Sequence, residues 1–66
     1  METFELLVRP QSYQLHCPAE SEDLQFSTLL AAFTYAQMSM SDESAEMVVK
    51  DRFGRNEHVP LYRMTE

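Results

Sequence analysis

The sequence predicts a small α+β fold. It is an antiparallel sheet of about four strands in the order ββαββ, with one amphipathic helix over about residues 22–40 packed on one face. Three observations predict it. Two short segments near the N-terminus alternate apolar and polar residues with the period of two that a half-buried strand requires. The middle of the chain instead places apolar residues three and four apart, as a helix does. The last third returns to a β-rich composition around the chain's one glycine, Gly54.

The first strand is read over residues 3–10, "TFELLVRP", with Phe4, Leu6 and Val8 on one face and Glu5, Leu7 and Arg9 on the other. The stretch "RPQS" turns the chain, because Pro10 presets the backbone angle that the second turn position needs. In "SYQLHC" Tyr13, Leu15 and Cys17 alternate against Ser12, Gln14 and His16, which gives a second half-buried strand, and Pro18 ends it.

For the helix, Ser21 is the expected cap, and Glu22 and Asp23 complement the positive pole of the helix dipole. Phe26, Leu29, Leu30, Phe33, Ala36, Gln37 and Met40 form the apolar stripe. Gln25, Thr28, Ala32, Tyr35 and Ser39 form the outer side.

Residues 42–53 carry two signals. Acids at the start, bases at the end and Gly54 beyond suit a second helix, whereas "DRFGRN" between Val48-Val49 and the β-rich "EHVPLYRM" suits a hairpin. The hairpin is the preferred reading, with strands from about Glu46 to Phe53 and from His58 to Met64. Pro60 cannot donate a ladder hydrogen bond, so the last strand belongs at a sheet edge or carries a bulge. Phe53, Val59, Leu61 and Tyr62 are expected to fill the core under the helix.

At 66 residues the chain makes a single domain, 1–66, with a small core and marginal stability. Chains of this size usually gain a disulfide, a metal or a second subunit. The one cysteine, Cys17, excludes an internal disulfide, so a homo-oligomer, a homodimer for instance, or docking on a larger partner is expected. The N-terminus shows no signal-peptide pattern, and the longest uncharged stretch is too polar to span a bilayer. The expected location is therefore the cytoplasm, without membrane contact.

The net charge of −6 is unevenly spread. Residues 1–49 hold eight acids and one base, a balance of −7, and residues 50–66 balance at +1. Such a field opposes nucleic-acid binding and attracts a basic protein surface.

Catalytic, cofactor and metal constellations are not found. His16, Cys17 and His58 are too few for structural zinc, which takes four ligands, and the adjacent pair points to opposite faces of a strand. Cys17 as a nucleophile would need a base, with His58 the sole candidate if the hairpins pair, and a buried inert thiol is the simpler reading. One glycine cannot build a phosphate-binding loop. The chain is read as no enzyme and without a cofactor.

Two clusters carry the leading functional reading: Glu20, Glu22 and Asp23 before the predicted helix, and Asp42, Glu43 and Glu46 after it. In exposed segments these carboxylates keep ordinary pKa values and either steer a basic partner or serve only solubility. The expectation is a non-enzymatic protein-interaction module, such as a stand-alone inhibitor or regulator of a nucleic-acid-handling or defence complex. Met38, Met40 and Met47 add either adaptable binding surface or core filling. Two alternatives stand beside it. One is a nucleic-acid-binding accessory using Arg52, Phe53, Arg55, Tyr62 and Arg63, whose cations and aromatic faces suit single strands. The other is a small oligomer with a ligand pocket at its subunit interface.

Overall fold

The computed structural model describes residues 2–63. Over these residues the fold is α+β, with five strands and one helix: β1 (Glu2–Val8), β2 (Tyr13–His16), β3 (Leu24–Phe26), α1 (Leu29–Ser39), β4 (Ser44–Lys50) and β5 (Asn56–Tyr62). The sheet runs β3-β2-β1-β4-β5. Neighbours are antiparallel except the central pair β1 and β4, which are parallel. The sheet is therefore mixed and five-stranded rather than antiparallel and four-stranded, and ββαββ becomes βββαββ.

The extra strand comes from the segment expected to begin the helix. Leu24 and Phe26 around Gln25 satisfy a period of two as well as a helical one, and pairing decides between them. Leu24 lies opposite Leu15 and Phe26 opposite Tyr13. The helix then starts seven residues later than Ser21 implies. Thr28, in an extended conformation, is the true cap, and its hydroxyl accepts from the Ala31 N–H at 3.1 Å.

This later start rotates the buried stripe. Ala32 and Ala36 are fully buried, with Phe33 and Tyr35 half-buried, whereas Leu30 is 76% exposed and Leu29 is also exposed. Ala32 and Tyr35 were expected on the outer side and Leu29 and Leu30 inside, so that part of the stripe is corrected. Small residues at the contact let the helix backbone lie close to the sheet, which Leu29 and Leu30 would hold away. The helix packs chiefly on β2 and β3, and the Phe26 and Tyr35 rings meet at 5.5 Å between centroids.

The first hairpin follows its pattern. Phe4, Leu6, Leu15 and Cys17 are buried on the helix side, and the Arg9 N–H donates to the Ser12 carbonyl across the turn. Residues 44–50 are strand, not helix. The turn after them is held by Asp51, whose carboxylate accepts the N–H groups of Phe53 and Arg55 at 2.9 Å each. Gly54 sits there at φ 86°, a conformation that favours glycine. Leu61 is buried and Val59 half-buried, but Phe53 is 77% and Tyr62 65% exposed, so neither aromatic fills the core. Of the methionines, Met40 and Met47 are core and Met38 is exposed. The predicted end of the last strand, Met64, lies outside the described residues.

Pro60 lies on an edge strand, and its orientation follows from the ladder. The Arg63 N–H donates to the Glu43 carbonyl, and the Arg55 carbonyl accepts from Asp51, each at 3.1 Å. Odd-numbered residues of β5 thus turn their backbone groups toward β4 and even-numbered ones turn outward. Pro60 costs the ladder no donor, and it removes one from the middle of the open edge, which protects the edge against strand addition.

Candidate functional site

Topology sorts the charges along the strand axis. Because β1 and β4 are parallel, the β1–β2 turn and the β4–β5 turn share one end of the sheet. Four of the five bases are there: Arg9, Lys50, Arg52 and Arg55. The opposite end holds the β2–β3 loop with Glu20 and Glu22, the segment between α1 and β4 with Asp42 and Glu43, and Glu2 at the start of β1. In the sequence the two acidic clusters flank the predicted helix. With β3 inserted, the chain crosses the sheet once more before the helix begins, and Glu20 and Glu22 of the first cluster arrive with Asp42 and Glu43 of the second at the helix's C-terminal end. The Tyr35 hydroxyl, in the second half of α1, donates to Glu20 Oε1 at 2.9 Å, and Glu20 and Ser39 line one small concavity.

Glu2 organises this end. Its Oε1 accepts the backbone N–H groups of Ser41 at 2.6 Å and Asp42 at 2.9 Å, fixing the segment between α1 and β4. These bonds, Asp42's first, hold the Glu2 carboxyl below its usual range, and the Arg63 charge adds to them. Arg63 donates to the carbonyls of Met40 and Ser41, just past the helix. The hydrogen bond from Tyr35 to the Glu20 carboxylate pushes the phenol's pKa up.

The remaining two predicted carboxylates lie on the sheet face that the helix leaves open, each against a histidine. Asp23 Oδ1 is 2.7 Å from His16 Nδ1, and Asp23 also accepts from Gln14, whose own carbonyl oxygen accepts from Arg9. Bonding by His16, then by Gln14, pulls the Asp23 carboxyl below its usual range, so this residue departs from the ordinary value expected of it. Glu46 Oε1 is 2.8 Å from His58 Nδ1. Between these pairs Lys50 Nζ stands 3.3 Å from Glu5 Oε1. Around Glu46 and His58 the face carries a shallow concavity of about 280 Å³, walled by Ser44, Glu46, His58, Pro60 and Tyr62 over the backbone of Ala45 and Leu61.

The basic and aromatic set of the C-terminal segment is divided. Arg52, Phe53 and Arg55 are at the turn end, with the Arg52 guanidinium 5.2 Å from the centre of its neighbour's ring. Tyr62 and Arg63 are at the acidic end. The five side chains therefore form no continuous track for a strand of nucleic acid. A groove of about 360 Å³ at the turn end joins Arg52 and Phe53 to Arg9 and Tyr13 instead.

Cys17 is buried, and its thiol is pushed up to about 12, first by burial and then by hydrogen bonding to and the charge of Glu20. A thiolate nucleophile is disfavoured there. His58 is no base for it, since it sits on the far edge strand and on the opposite face. Among the described residues no three His, Cys, Asp or Glu side chains converge as metal ligands, and no helix is long and apolar enough to cross a membrane. Comparison of the chain with protein-family models, with curated proteins and with solved structures returns no match.

Sequence reasoning missed Glu2, Tyr35 and the pairing of Glu46 with His58. The last was accessible once the hairpin register was known, because Val48 lies opposite His58 and Glu46 is one step along the same face. The contact of Glu2 spans some forty residues and left no local signal.

Proposed function

We propose that this protein is a non-enzymatic interaction module that engages a basic surface on another protein through its acidic end. One observation carries the reading. Glu20, beside Ser39, and Asp42 and Glu43, in the segment that follows the helix, lie at the negative pole of α1. Acids there do not complement the helix dipole, and among the described residues Arg63 is the one base on the carbonyls just past the helix. The first helical turn, at the positive pole, contains no acid to complement it. Acids that served solubility alone would have no need to gather at this pole. Local rules broken in this way are expected at functional sites. The role of inhibitor or regulator, and a cytoplasmic setting, belong to this proposal.

The test is affinity capture from the native host with mass spectrometry, followed by association kinetics over a salt series. A basic partner whose association slows at high salt is expected. Neutralising Glu22, Asp42 and Glu43 together should slow association in low salt and flatten its salt dependence. Unchanged kinetics in that triple variant would remove the electrostatic basis. Micromolar binding of oligonucleotides at low salt, lost in Arg52→Ala with Arg55→Ala, would replace this reading with the nucleic-acid one.

A further inference from the structure

The concavity on the open face of β4 and β5 has a composition that defines an occupant. Among the described residues its single acid is Glu46, and one carboxylate oxygen, Oε1, is held by His58 Nδ1 at 2.8 Å. That contact fixes the carboxylate's direction and leaves Oε2 to accept from a ligand. Opposite stands Tyr62, 65% exposed on a strand whose pattern places it beside Ser44 and one step from the Glu46–Pro60 pair. Pro60 supplies a flat apolar wall without a backbone donor. The nearest base in sequence, Arg63, points to the other face, where its guanidinium holds the carbonyls of Met40 and Ser41.

A directed carboxylate, an uncovered aromatic ring and a proline wall around about 280 Å³ match a cation on an apolar stem. The volume falls just below the roughly 300–1,000 Å³ of small-molecule sites and suits one side chain. The site also borders the acidic end, so a partner steered there arrives beside it.

We propose that this concavity is the anchoring subsite for one arginine side chain of the partner protein. The guanidinium donates to Glu46 Oε2 and lies over the Tyr62 ring, and the methylene stem rests on Pro60. Arginine suits the site better than lysine because its planar group stacks on an aromatic face while it donates in its own plane. The inference rests on the protein-partner reading above and names where that partner is gripped.

The probe is a short capped peptide, acetyl-Gly-Arg-Gly-amide, titrated into isotope-labelled protein and followed by amide chemical shifts. Its citrulline counterpart, isosteric and uncharged, is the control. Shifts centred on Ser44, Glu46, His58 and Tyr62 are expected with arginine and not with citrulline. Glu46→Gln keeps an acceptor for His58 and so preserves the fold, and it should weaken binding about tenfold, as should Tyr62→Ala. Melting temperatures within a few degrees of the parent will show that both variants are folded.

Equal binding of the citrulline peptide, or full affinity in Glu46→Gln, overturns the subsite. So do shifts confined to the loops of Glu20, Glu22, Asp42 and Glu43, although that outcome leaves the acidic-end reading standing. Conversely, peptide binding at the concavity with no host protein captured preserves the subsite and removes the proposed function.

Discussion

Leu6 and Leu7 are neighbours on β1, and they belong to two surfaces built on different rules. The face toward α1 is apolar: Phe4, Leu6, Leu15, Cys17, Met47 and Leu61 are buried there, and no polar side chain is buried among the described residues. The open face is a lattice of polar pairs (His16 with Asp23, Glu5 with Lys50, Glu46 with His58) set around a half-buried Leu7 and Val48. The first face supplies the burial that folding needs. The second has side chains held in place by one another, a surface that can change without emptying the core. In so small a domain this separation lets a binding surface evolve next to a core with little stability to spare.

The adjacent leucines test the comparison directly and with the largest effect. Leu6→Ala should cost about 2–5 kcal/mol, enough to leave much of a marginal domain unfolded at 25 °C. Leu7→Ala should cost about 1 kcal/mol or less, because a half-exposed side chain leaves no closed cavity. Urea denaturation of both variants supplies the numbers. Equal losses would mean that the open face is covered in solution, as it would be in an oligomer.

The next effect separates the helix start in the structure from the one that the sequence suggests. Thr28→Ala should cost about 1 kcal/mol, the usual value of a lost cap. Ser21→Ala, in an exposed loop, should change stability by no more than about 0.5 kcal/mol. The reverse order would place the helix start back at residue 21 and dissolve β3.

Those residues also show how far the sequence could be read. Strict alternation made the faces of β1 and β2 legible residue by residue, and Gly54 marked the last hairpin, while Pro60 left an edge or a bulge open and the strand order decides for the edge. At Leu24–Phe26 the two periods agree, so pattern alone cannot separate strand from helix, and only pairing with Leu15 and Tyr13 decides it. Parallel pairing of β1 with β4 is a long-range contact with no local signature. Of the six acids named from the sequence, Glu20, Glu22, Asp42 and Glu43 lie at one end of the sheet and Asp23 and Glu46 lie on its open face. The meeting of the first four was hidden, because it depends on β3 carrying the chain back across the sheet.

A smaller effect distinguishes the acidic end from both faces by its pH dependence. Glu2 and Asp23 have folded pKa values below their usual 4.5 and 3.8. A depressed carboxyl stabilises the fold fully above its unfolded pKa, and the contribution disappears as pH falls through the folded value. Glu2→Gln should therefore melt at a lower temperature than the parent at pH 7, with the gap closing as pH drops below about 4.5. Far-UV circular dichroism melts at several pH values will show it. A gap that persists in acid would mean that the loss in Glu2→Gln does not come from the carboxylate's charge.

The smallest effect expected is at the centre of the open face. Lys50 and Glu5 are 3.3 Å apart with 38% and 45% of their side-chain surfaces exposed, so water screens the pair. A double-mutant cycle with Lys50→Gln and Glu5→Gln should give a coupling of about 0.2–1 kcal/mol that shrinks in 1 M salt. The small value is itself diagnostic. If a second copy of the chain lay over this face, the pair would be desolvated and removing one partner would cost about 3–5 kcal/mol. A small coupling independent of protein concentration thus keeps the open face free for an outside partner, and a large coupling that grows with concentration would assign it to self-association.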